Sequence, residues 1–460
     1  MSRAVKSGVV AAILIAALGI RVWHVQSHAY RLKNDAYVYL RLGGEIADQG
    51  SYSPHDRGAG GSRGPTAYFP PAYPYFLAGV DLLDGQSHPL LDAVHPARLS
   101  QAALGTVIVA LVGLVAFELF GWTAALIALA LAAFYPVLIE MSGSLAAENL
   151  LSALVLAAVY AGLRVRRASQ PASAYGWIVG AGVLTGLAAL THENGILILF
   201  PLIAAVWTRA PRLRPRSLIA PATLLAATAL TIAPWAIRNA ITMHRFVPIS
   251  DETGITLVGT YNPASAAYQP VPYKWRIYYG IPQDHSLIRQ ARQLTEPQLS
   301  DRLQSQALSY IGRHPTAPLT VAWHNTLRMF ELEGAVAWRD SAKAQSIPDS
   351  TARLGVTSFW ILCGLAVAGA FSKLTRAAPK WVWFVPLLLA LSVALVNVET
   401  PRFRAPVDPF LILPASAGLA SGAAWLRRRL LRDRSPVGRE ARDAVPAGSG
   451  QLVEVRERLA

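Results

Sequence analysis

Residues 99–119 read LSQAALGTVIVALVGLVAFEL, a run in which Glu118 is the only charged residue. A helix of about 20 apolar residues is long enough to cross the hydrocarbon core of a bilayer. Nine further runs of similar character lie on either side of it, so the sequence predicts about ten membrane spans. The other runs are residues 8–25, 122–140, 147–163, 175–191, 194–208, 217–237, 353–372, 381–397 and 405–426.

The composition supports a membrane protein and excludes several other classes. Of the 460 residues, 53% are hydrophobic and 15% are charged, which is not the balance of a soluble domain. The net charge of +15 does not indicate nucleic-acid binding, because the basic residues sit in short clusters between apolar runs and in the C-terminal tail. The single cysteine, Cys363, excludes an intramolecular disulfide and a metal cluster of cysteines.

The distribution of charge predicts an orientation. Arg3 and Lys6 precede the first run, as in secretory signals and in uncleaved first spans. No clear cleavage site precedes Arg21, which favours an uncleaved span. With the N-terminus inside, the inside segments carry 21 Lys and Arg residues, whereas the outside turns at 141–146 and 192–193 carry none and the one at 398–404 carries two, Arg402 and Arg404. We therefore expect both termini to be cytoplasmic, in the plasma (inner) membrane.

This topology divides the chain into six segments. We expect a first transmembrane helix, a first extracytoplasmic loop with an acidic site, a transmembrane bundle, a second extracytoplasmic loop region, C-terminal transmembrane helices and a basic cytoplasmic tail. In the same order, their boundaries are 1–25, 26–98, 99–238, 239–352, 353–426 and 427–460.

Both long loops are predicted to contain helices, some lying along the membrane surface. In the first loop, residues 35–48 have a helical pattern, and a proline-aromatic stretch follows at 68–76. In the second loop, Thr295 and Gln298 fit a capping box that begins an amphipathic helix. Another amphipathic helix is expected at about 316–333.

Several polar residues fall together on the predicted outer face. Charged groups at membrane depth are costly and usually mark function. A carboxylate can serve as a base, and an arginine can hold two phosphate oxygens at once. A base beside a phosphate clamp suits transfer from a phosphate-activated donor. The residues are Asp35, Glu148, His192, Glu193, Asn194, Arg238, Asn239, Glu399, Arg402, Arg404 and Asp408.

Simpler structural roles are open for each of them. Asp35 could cap a helix, and Glu148 could be a first-turn acid favoured by the helix dipole. Residues 192–194 could form only a polar hairpin. Arg402 and Arg404 could extend to the membrane interface. The common location of these residues on one face favours a site over these separate roles.

The order of the motifs resembles the GT-C superfamily of membrane glycosyltransferases, most closely its protein-mannosyltransferase-like and aminoarabinose-transferase-like bacterial members. The resemblance covers most of residues 20–415. This sequence departs from the family pattern at two positions. Ala36 stands where the family usually has a second acidic residue, and His192 stands where the family usually has arginine. The motifs are Arg21, Asp35 with Tyr37 and Tyr39, Pro70-Pro71, Glu148-Asn149-Leu150, Leu190–Gly195, Pro234-Trp235-Ala236-Ile237-Arg238-Asn239 and Pro401–Pro406.

The resemblance implies an all-α polytopic membrane protein, a GT-C-type bundle of about ten and up to thirteen transmembrane helices. It implies an inverting enzyme that moves a sugar from a polyprenyl-phosphate donor to a hydroxyl of a lipid, glycan or protein acceptor on the extracytoplasmic face. Membrane lipid is an expected partner, nucleic acid is not, and a divalent metal ion is an open alternative. The implied residues are Asp35 and Glu148 for catalysis, Arg402, Arg404, Arg238, Tyr37 and His192 for the donor phosphate, and Tyr68, Tyr73, Glu193 and Asn239 for acceptor or sugar.

Other functions fit parts of the same pattern. A transporter or flippase of lipid-linked sugars would share the spans and the arginines, but it would more often show repeated halves and broken helices. A polymerase or ligase of surface polysaccharide would share the outer arginines without requiring the early Asp-x-Tyr motif. A non-catalytic assembly protein is the third alternative.

Overall fold

The computed structural model describes residues 2–53, 65–84, 90–207, 214–291 and 293–433, and the regular elements within these ranges are all helices. The predicted cytoplasmic tail lies outside the described residues from 434 onward. The α-helices, in chain order, are α1 (Arg3–Ser27), α2 (Asn34–Gln49), α3 (Ala72–Asp84), α4 (Val94–Phe120), α5 (Trp122–Phe134), α6 (Pro136–Met141), α7 (Ala147–Arg167), α8 (Pro171–Thr191), α9 (Leu199–Val206), α10 (Pro215–Thr242), α11 (Thr253–Thr260), α12 (Pro263–Ala266), α13 (His285–Gln290), α14 (Glu296–Arg313), α15 (Ala317–Met329), α16 (Ala335–Ala344), α17 (Asp349–Ala370), α18 (Lys373–Ala377), α19 (Trp381–Ala394) and α20 (Asp408–Asp433).

Seven of these helices are long and apolar enough to cross a membrane: α1, α4, α7, α8, α10, α17 and α20. Three shorter apolar segments accompany them, namely α5, α19, and α9 together with the 3-10 turn Glu193–Ile198 that precedes it. These ten segments coincide with the ten predicted runs. The expectation of an all-α polytopic membrane protein is confirmed.

The predicted span 122–140 is broken in two, and a buried arginine stabilises the break. Pro136 has no N–H group, so the carbonyl of Ala132 loses its usual helical donor. Arg21, which is fully buried, donates from Nη2 to Ala132 O at 3.2 Å and from Nη1 to Ala133 O at 3.1 Å. Its Nε donates to Ser142 Oγ at 3.1 Å. The guanidinium thus replaces backbone donors that the broken helix lacks.

Helices α17 and α20 cross closely because each has a glycine at the contact. A Cβ atom on Gly369 would lie 1.8 Å from the carbonyl oxygen of Pro414, and one on Gly418 would lie 2.6 Å from Gly369 Cα. Small residues allow close backbone approach where lipid supplies no hydrophobic driving force between helices. This crossing fixes the start of α20, and with it the turn that precedes α20.

The buried apolar side chains form two large clusters. One lies among the spanning helices, chiefly α4, α5, α7, α8 and α20. The other joins α2, α3, α11, α14 and α15, from the two long loops, and is rich in tyrosine. Within it, the ring of Tyr39 meets Phe69 at 4.7 Å and Tyr73 at 5.0 Å. The predicted capping box of Thr295 and Gln298 is confirmed at the start of α14. The candidate site lies between the two clusters.

Candidate active site

Asp35 is held in the first turn of α2, at the rim of a cavity. The preceding Asn34 has φ of +54°, a conformation that asparagine tolerates better than most residues, and its Nδ2 donates to Ala344 O at 3.1 Å. Lys33 occupies the N-cap, so Asp35 is not the cap of this helix. The Asp35 side chain is 39% exposed, and the helix dipole favours its negative charge.

Glu148 begins α7 and is almost fully buried, with 1% of its side chain exposed. The turn before it is held by side chains: Arg98 Nε donates to Gly143 O at 2.7 Å, and Asn149 Nδ2 donates to Met141 O at 2.5 Å. A carboxylate removed from water in this way requires a cationic partner. That partner comes from the far end of the chain.

Arg402 bridges the two acids. Its Nη1 donates to Asp35 Oδ2 at 2.6 Å, and its Nε donates to Glu148 Oε1 at 2.6 Å. Burial alone would lower the pKa of Arg402, but the charges of Glu148 and Asp35 outweigh burial, and the net pKa is raised. The guanidinium therefore stays charged and connects the starts of α2 and α7 with the 3-10 turn Arg402–Arg404.

A cavity of about 410 Å³ opens on one side of this ion-pair triad. Its walls combine aromatic and aliphatic side chains with polar groups. The predicted residues His192, Glu193 and Tyr68 all line it, together with Asp35 and Arg402. Glu193 accepts a hydrogen bond from Ser250 Oγ, and burial lowers the pKa of His192, which favours its neutral form. These predicted residues are brought together by the fold.

A second cavity, of about 230 Å³, adjoins the first. Four residues line both cavities and are called the partition: Asp35, Trp275, Glu399 and Arg402. Two substrates, one in each cavity, would therefore both reach Asp35 and Arg402. Two adjoining cavities suit a transfer reaction better than a single binding pocket would.

Arg404 does not line either cavity, although the sequence pattern groups it with Arg402. It is 1% exposed, and its Nη1 donates to Glu331 Oε1 at 2.8 Å. Its Nε lies 3.1 Å from Asp408 Oδ1, and its guanidinium stacks over Phe359 at 3.5 Å. The side chain of Arg404 points away from that of Arg402 and satisfies two buried carboxylates. The structure places it as an anchor of the turn that presents Arg402.

Arg238 and Asn239, the end of the Pro-Trp-x-x-Arg-Asn motif, also lie outside both cavities. Arg238 donates from Nη1 to Thr66 O at 2.6 Å and from Nη2 to Tyr52 O at 3.0 Å. Asn239 is fully buried and donates from Nδ2 to Val247 O at 3.0 Å. Both side chains connect α10 to loop backbone, so their contacts are structural here.

The two remaining predicted tyrosines are likewise away from the partition. Tyr37 is 40% exposed and lines a separate groove between α2 and α3. Tyr73 is fully buried in the aromatic cluster of the outer loops. Neighbouring helical positions point in different directions, so membership of the same motif as Asp35 does not bring Tyr37 to the cavities.

Two cavity residues, Glu252 and Trp275, were missed as site candidates. Glu252 lines the larger cavity, and burial, followed by the charges of Glu193 and Asp35, raises its pKa well above the ordinary value. Trp275 lies in an irregular segment, and no local pattern identified it. Glu399, which was grouped on the predicted outer face without an assigned role, lines both cavities. Burial raises the pKa of Glu399, partly offset by Arg402.

The described residues offer no ready metal site. Among them, no group of three or more His, Cys, Asp or Glu side chains is arranged to hold a metal ion. The carboxylates of the larger cavity are instead distributed around its wall.

Part of the sequence, and the fold as a whole, are similar to known proteins. Residues 69–237, a little over a third of the chain, match the family described as dolichyl-phosphate-mannose-protein mannosyltransferase. No curated protein sequence matches the chain.

Solved structures give a broader likeness. The oligosaccharyltransferase AglB of Archaeoglobus fulgidus, in complex with an inhibitory peptide and a dolichol-phosphate, superposes with a TM-score of 0.53 at 15% identity, covering 94% of this chain and 52% of that one. The same enzyme tethered to an acceptor peptide gives 0.54 at 16% identity, covering 95% and 51%. The S. cerevisiae protein O-mannosyltransferase Pmt1–Pmt2 complex bound to the sugar donor gives 0.42 at 17%, covering 56% and 36%. The chain spans about half the length of the archaeal structures, and the likeness to them is one of fold.

Proposed function

We propose that this PMT-like protein of the GT-C superfamily is an inverting glycosyltransferase. It moves a sugar from a polyprenyl-phosphate donor to a hydroxyl of a lipid, glycan or protein acceptor. The observation that carries the proposal is Arg402, which holds Asp35 and Glu148 at the partition between two cavities. One cavity would take the donor, the other the acceptor, and the reacting atoms would meet beside Asp35.

Asp35 is the base in this scheme. The acceptor hydroxyl gives its proton to the Asp35 carboxylate while its oxygen forms a bond to the anomeric carbon of the sugar. The bond from that carbon to the phosphate oxygen breaks, and polyprenyl phosphate leaves with the electron pair. A phosphate leaving group needs no separate acid, so one base suffices for a single displacement with inversion.

Arg402 supplies the charge for the departing phosphate. Without substrate, its donors are taken by Asp35 and Glu148. A donor phosphate would compete with the more exposed Asp35 for the guanidinium and free that carboxylate to accept a proton. Glu148, buried behind Arg402, would keep the guanidinium in place. Arginine suits this role because its donors are fixed in a plane and remain charged.

The proposed location is the plasma (inner) membrane, with both termini in the cytoplasm and the site on the extracytoplasmic face. The clustering of Lys and Arg in the segments opposite the site supports this orientation. The archaeal structural relatives include one bound to a dolichol-phosphate and one tethered to an acceptor peptide, which supports a lipid-linked donor and a separate acceptor for this chain.

The test is turnover of a labelled polyprenyl-phosphate-mannose by purified protein, with transfer to an acceptor or to water measured as lipid release. Asp35→Asn keeps the shape and one acceptor oxygen but cannot take the proton. We expect turnover to fall by about 100-fold or more, with donor binding retained.

Asp349→Asn is the matched control. Asp349 is also a first-turn aspartate near an arginine, with Oδ2 3.7 Å from Arg339 Nε, but it lies outside both cavities. It should behave as the parent does. Turnover by Asp35→Asn within a few-fold of the parent would remove Asp35 from catalysis.

A further inference from the structure

The two cavities differ in the charges that each holds alone. Beyond the shared partition, the acidic side chains of the larger cavity are Glu193 and Glu252, and the raised pKa of Glu252 favours its neutral form. The smaller cavity instead has Arg31 and Lys33, both basic. The smaller cavity therefore adds positive charge to the reacting centre that both cavities share.

The cations of the smaller cavity are not neutralised by the described part of the chain. Lys33 Nζ donates to the backbone carbonyl of Lys343 at the end of α16, and no ion pair of Arg31, Lys33 or Lys343 occurs among the described residues. Burial, then the charges of Arg31 and Lys343, lower the pKa of Lys33. Counting the shared residues, three basic side chains (Arg31, Lys33 and Arg402) and two acidic ones (Asp35 and Glu399) line this cavity. This surplus of positive charge attracts anions.

The walls indicate which cavity takes which substrate. The larger one is lined by Ile196, Leu197, Leu257, Val393 and Val396 among others, which suits a lipid-linked donor. The smaller one has a larger polar share in its walls, which include Asn34, Ser144, Gln345 and Ser346. If the donor occupies the larger cavity, the basic mouth belongs to the acceptor.

We propose that the acceptor is anionic: its accepting hydroxyl enters the smaller cavity while a neighbouring carboxylate or phosphate pairs with Arg31 and Lys33. This inference rests on the proposed function. Arg31 can bind such a group through two parallel donors, and Lys33 adds a mobile point charge. The acceptor's charge would then hold its hydroxyl at Asp35 and discriminate against neutral glycans.

Three matched probes test the charge requirement: methyl glucoside, methyl glucuronide and a phosphorylated methyl glucoside. Each is titrated into the full-length protein with labelled polyprenyl-phosphate-mannose, and its half-saturating concentration for product formation is measured. We expect the two anionic probes to be better than the neutral one by about tenfold or more, because charge-assisted hydrogen bonds are roughly twice as strong as neutral ones. The ranking of carboxylate against phosphate identifies the anion.

The double variant Arg31→Gln/Lys33→Gln should bring the three half-saturating concentrations to within a few-fold of each other. The control Arg289→Gln/Arg313→Gln removes the same charge from exposed positions outside both cavities and should keep the preference. Equal use of the three probes by the parent protein overturns the inference while leaving the proposed function standing. Absence of any donor turnover in the parent contradicts the proposed function itself.

A second measurement reads the charge of each cavity without turnover. Cysteines at Ser346 in the smaller cavity and at Thr256 in the larger one, in a background without Cys363, are labelled with anionic and cationic thiol reagents of equal size. We expect the ratio of anionic to cationic labelling rates to be higher at position 346 than at position 256. The difference at 346 should vanish in the Arg31→Gln/Lys33→Gln background. The same rate ratio at both positions would overturn the inference.

Discussion

Glu296→Gln should make the protein more stable at alkaline pH. Glu296 lies in the first turn of α14 and fastens the proline-aromatic loop, with Oε2 2.6 Å from Thr66 Oγ1 and Oε1 2.7 Å from the N–H of Ala67. It is 4% exposed, and burial raises its pKa from 4.5 to about 7 despite both hydrogen bonds. The folded protein therefore favours the neutral carboxyl.

The direction and the size of this pH effect on the free energy of unfolding follow from proton linkage. Between pH 4.5 and about 7, the unfolded chain has released this proton while the folded chain retains it. Stability from this group is therefore highest below pH 4.5 and falls as pH rises through about 7. At ~1.4 kcal/mol per pKa unit, the loss is about 3 kcal/mol. Glutamine is neutral at every pH and can both donate to Thr66 and accept from Ala67.

The assay is thermal unfolding of the purified protein, followed by tryptophan fluorescence at pH 5 and pH 8. Glu296→Gln should match the parent at the lower pH and exceed it at the higher one. Asp301→Asn, on the same helix but in an exposed pair with Arg245, should keep the parent's pH profile, since such pairs are worth about 0–1 kcal/mol. Parallel loss of stability in Glu296→Gln and the parent would refute the reasoning.

Three further predictions concern the anchor, the broken helix and the topology. Arg404→Gln strands two buried carboxylates and should destabilise the protein by about 3–5 kcal/mol in thermal unfolding. Arg402→Gln strands one fully buried carboxylate, Glu148, and should destabilise the protein less, but it should abolish donor turnover in the fraction that folds. Full turnover by folded Arg402→Gln protein would contradict this division. Arg21→Met leaves the carbonyls of Ala132 and Ala133 without a donor, so it should reduce the free energy of unfolding by about 1–3 kcal/mol for each carbonyl and lower the unfolding temperature. An unchanged unfolding temperature would show that Arg21 does not replace the backbone donors missing at the helix break. With the native cysteine removed, a cysteine at Ser286 should react with an impermeant reagent on intact cells and one at Ser169 should not; the reverse pattern would invert the topology.

The sequence predicted the spans because hydrophobic length is a local property. It also predicted the start of α14, where Thr295 and Gln298 are only three residues apart. The break at Pro136 was less visible, because the flanking residues are apolar enough to read as one span. Its stabilisation depends on Arg21, whose contacts with Ala132 and Ala133 are tertiary.

Part of the candidate site was also predictable, because some of its residues belong to local sequence motifs. Asp35, Glu148 and Arg402 each follow a recognisable motif, and a consistent topology placed them on one face. The sequence could not show that Arg402 lines the cavities while Arg404 is buried away from them. Arg404 is held by Glu331, which is 73 positions away in the chain. Trp275 and Glu252 reach the cavities through irregular segments, for which sequence periodicity gives no direction.

The ion-pair triad has a consequence for the order in which the protein is made. Arg402 contacts Glu148 across 254 positions and Asp35 across 367. During synthesis, both acids enter the membrane region long before the ribosome reaches the arginine that neutralises them. Until then they lack a counter-ion, and the wall between the two cavities is incomplete. If the proposed function holds, nascent chains are inactive until the segment before α20 is in place, and insertion of the last spans completes the site.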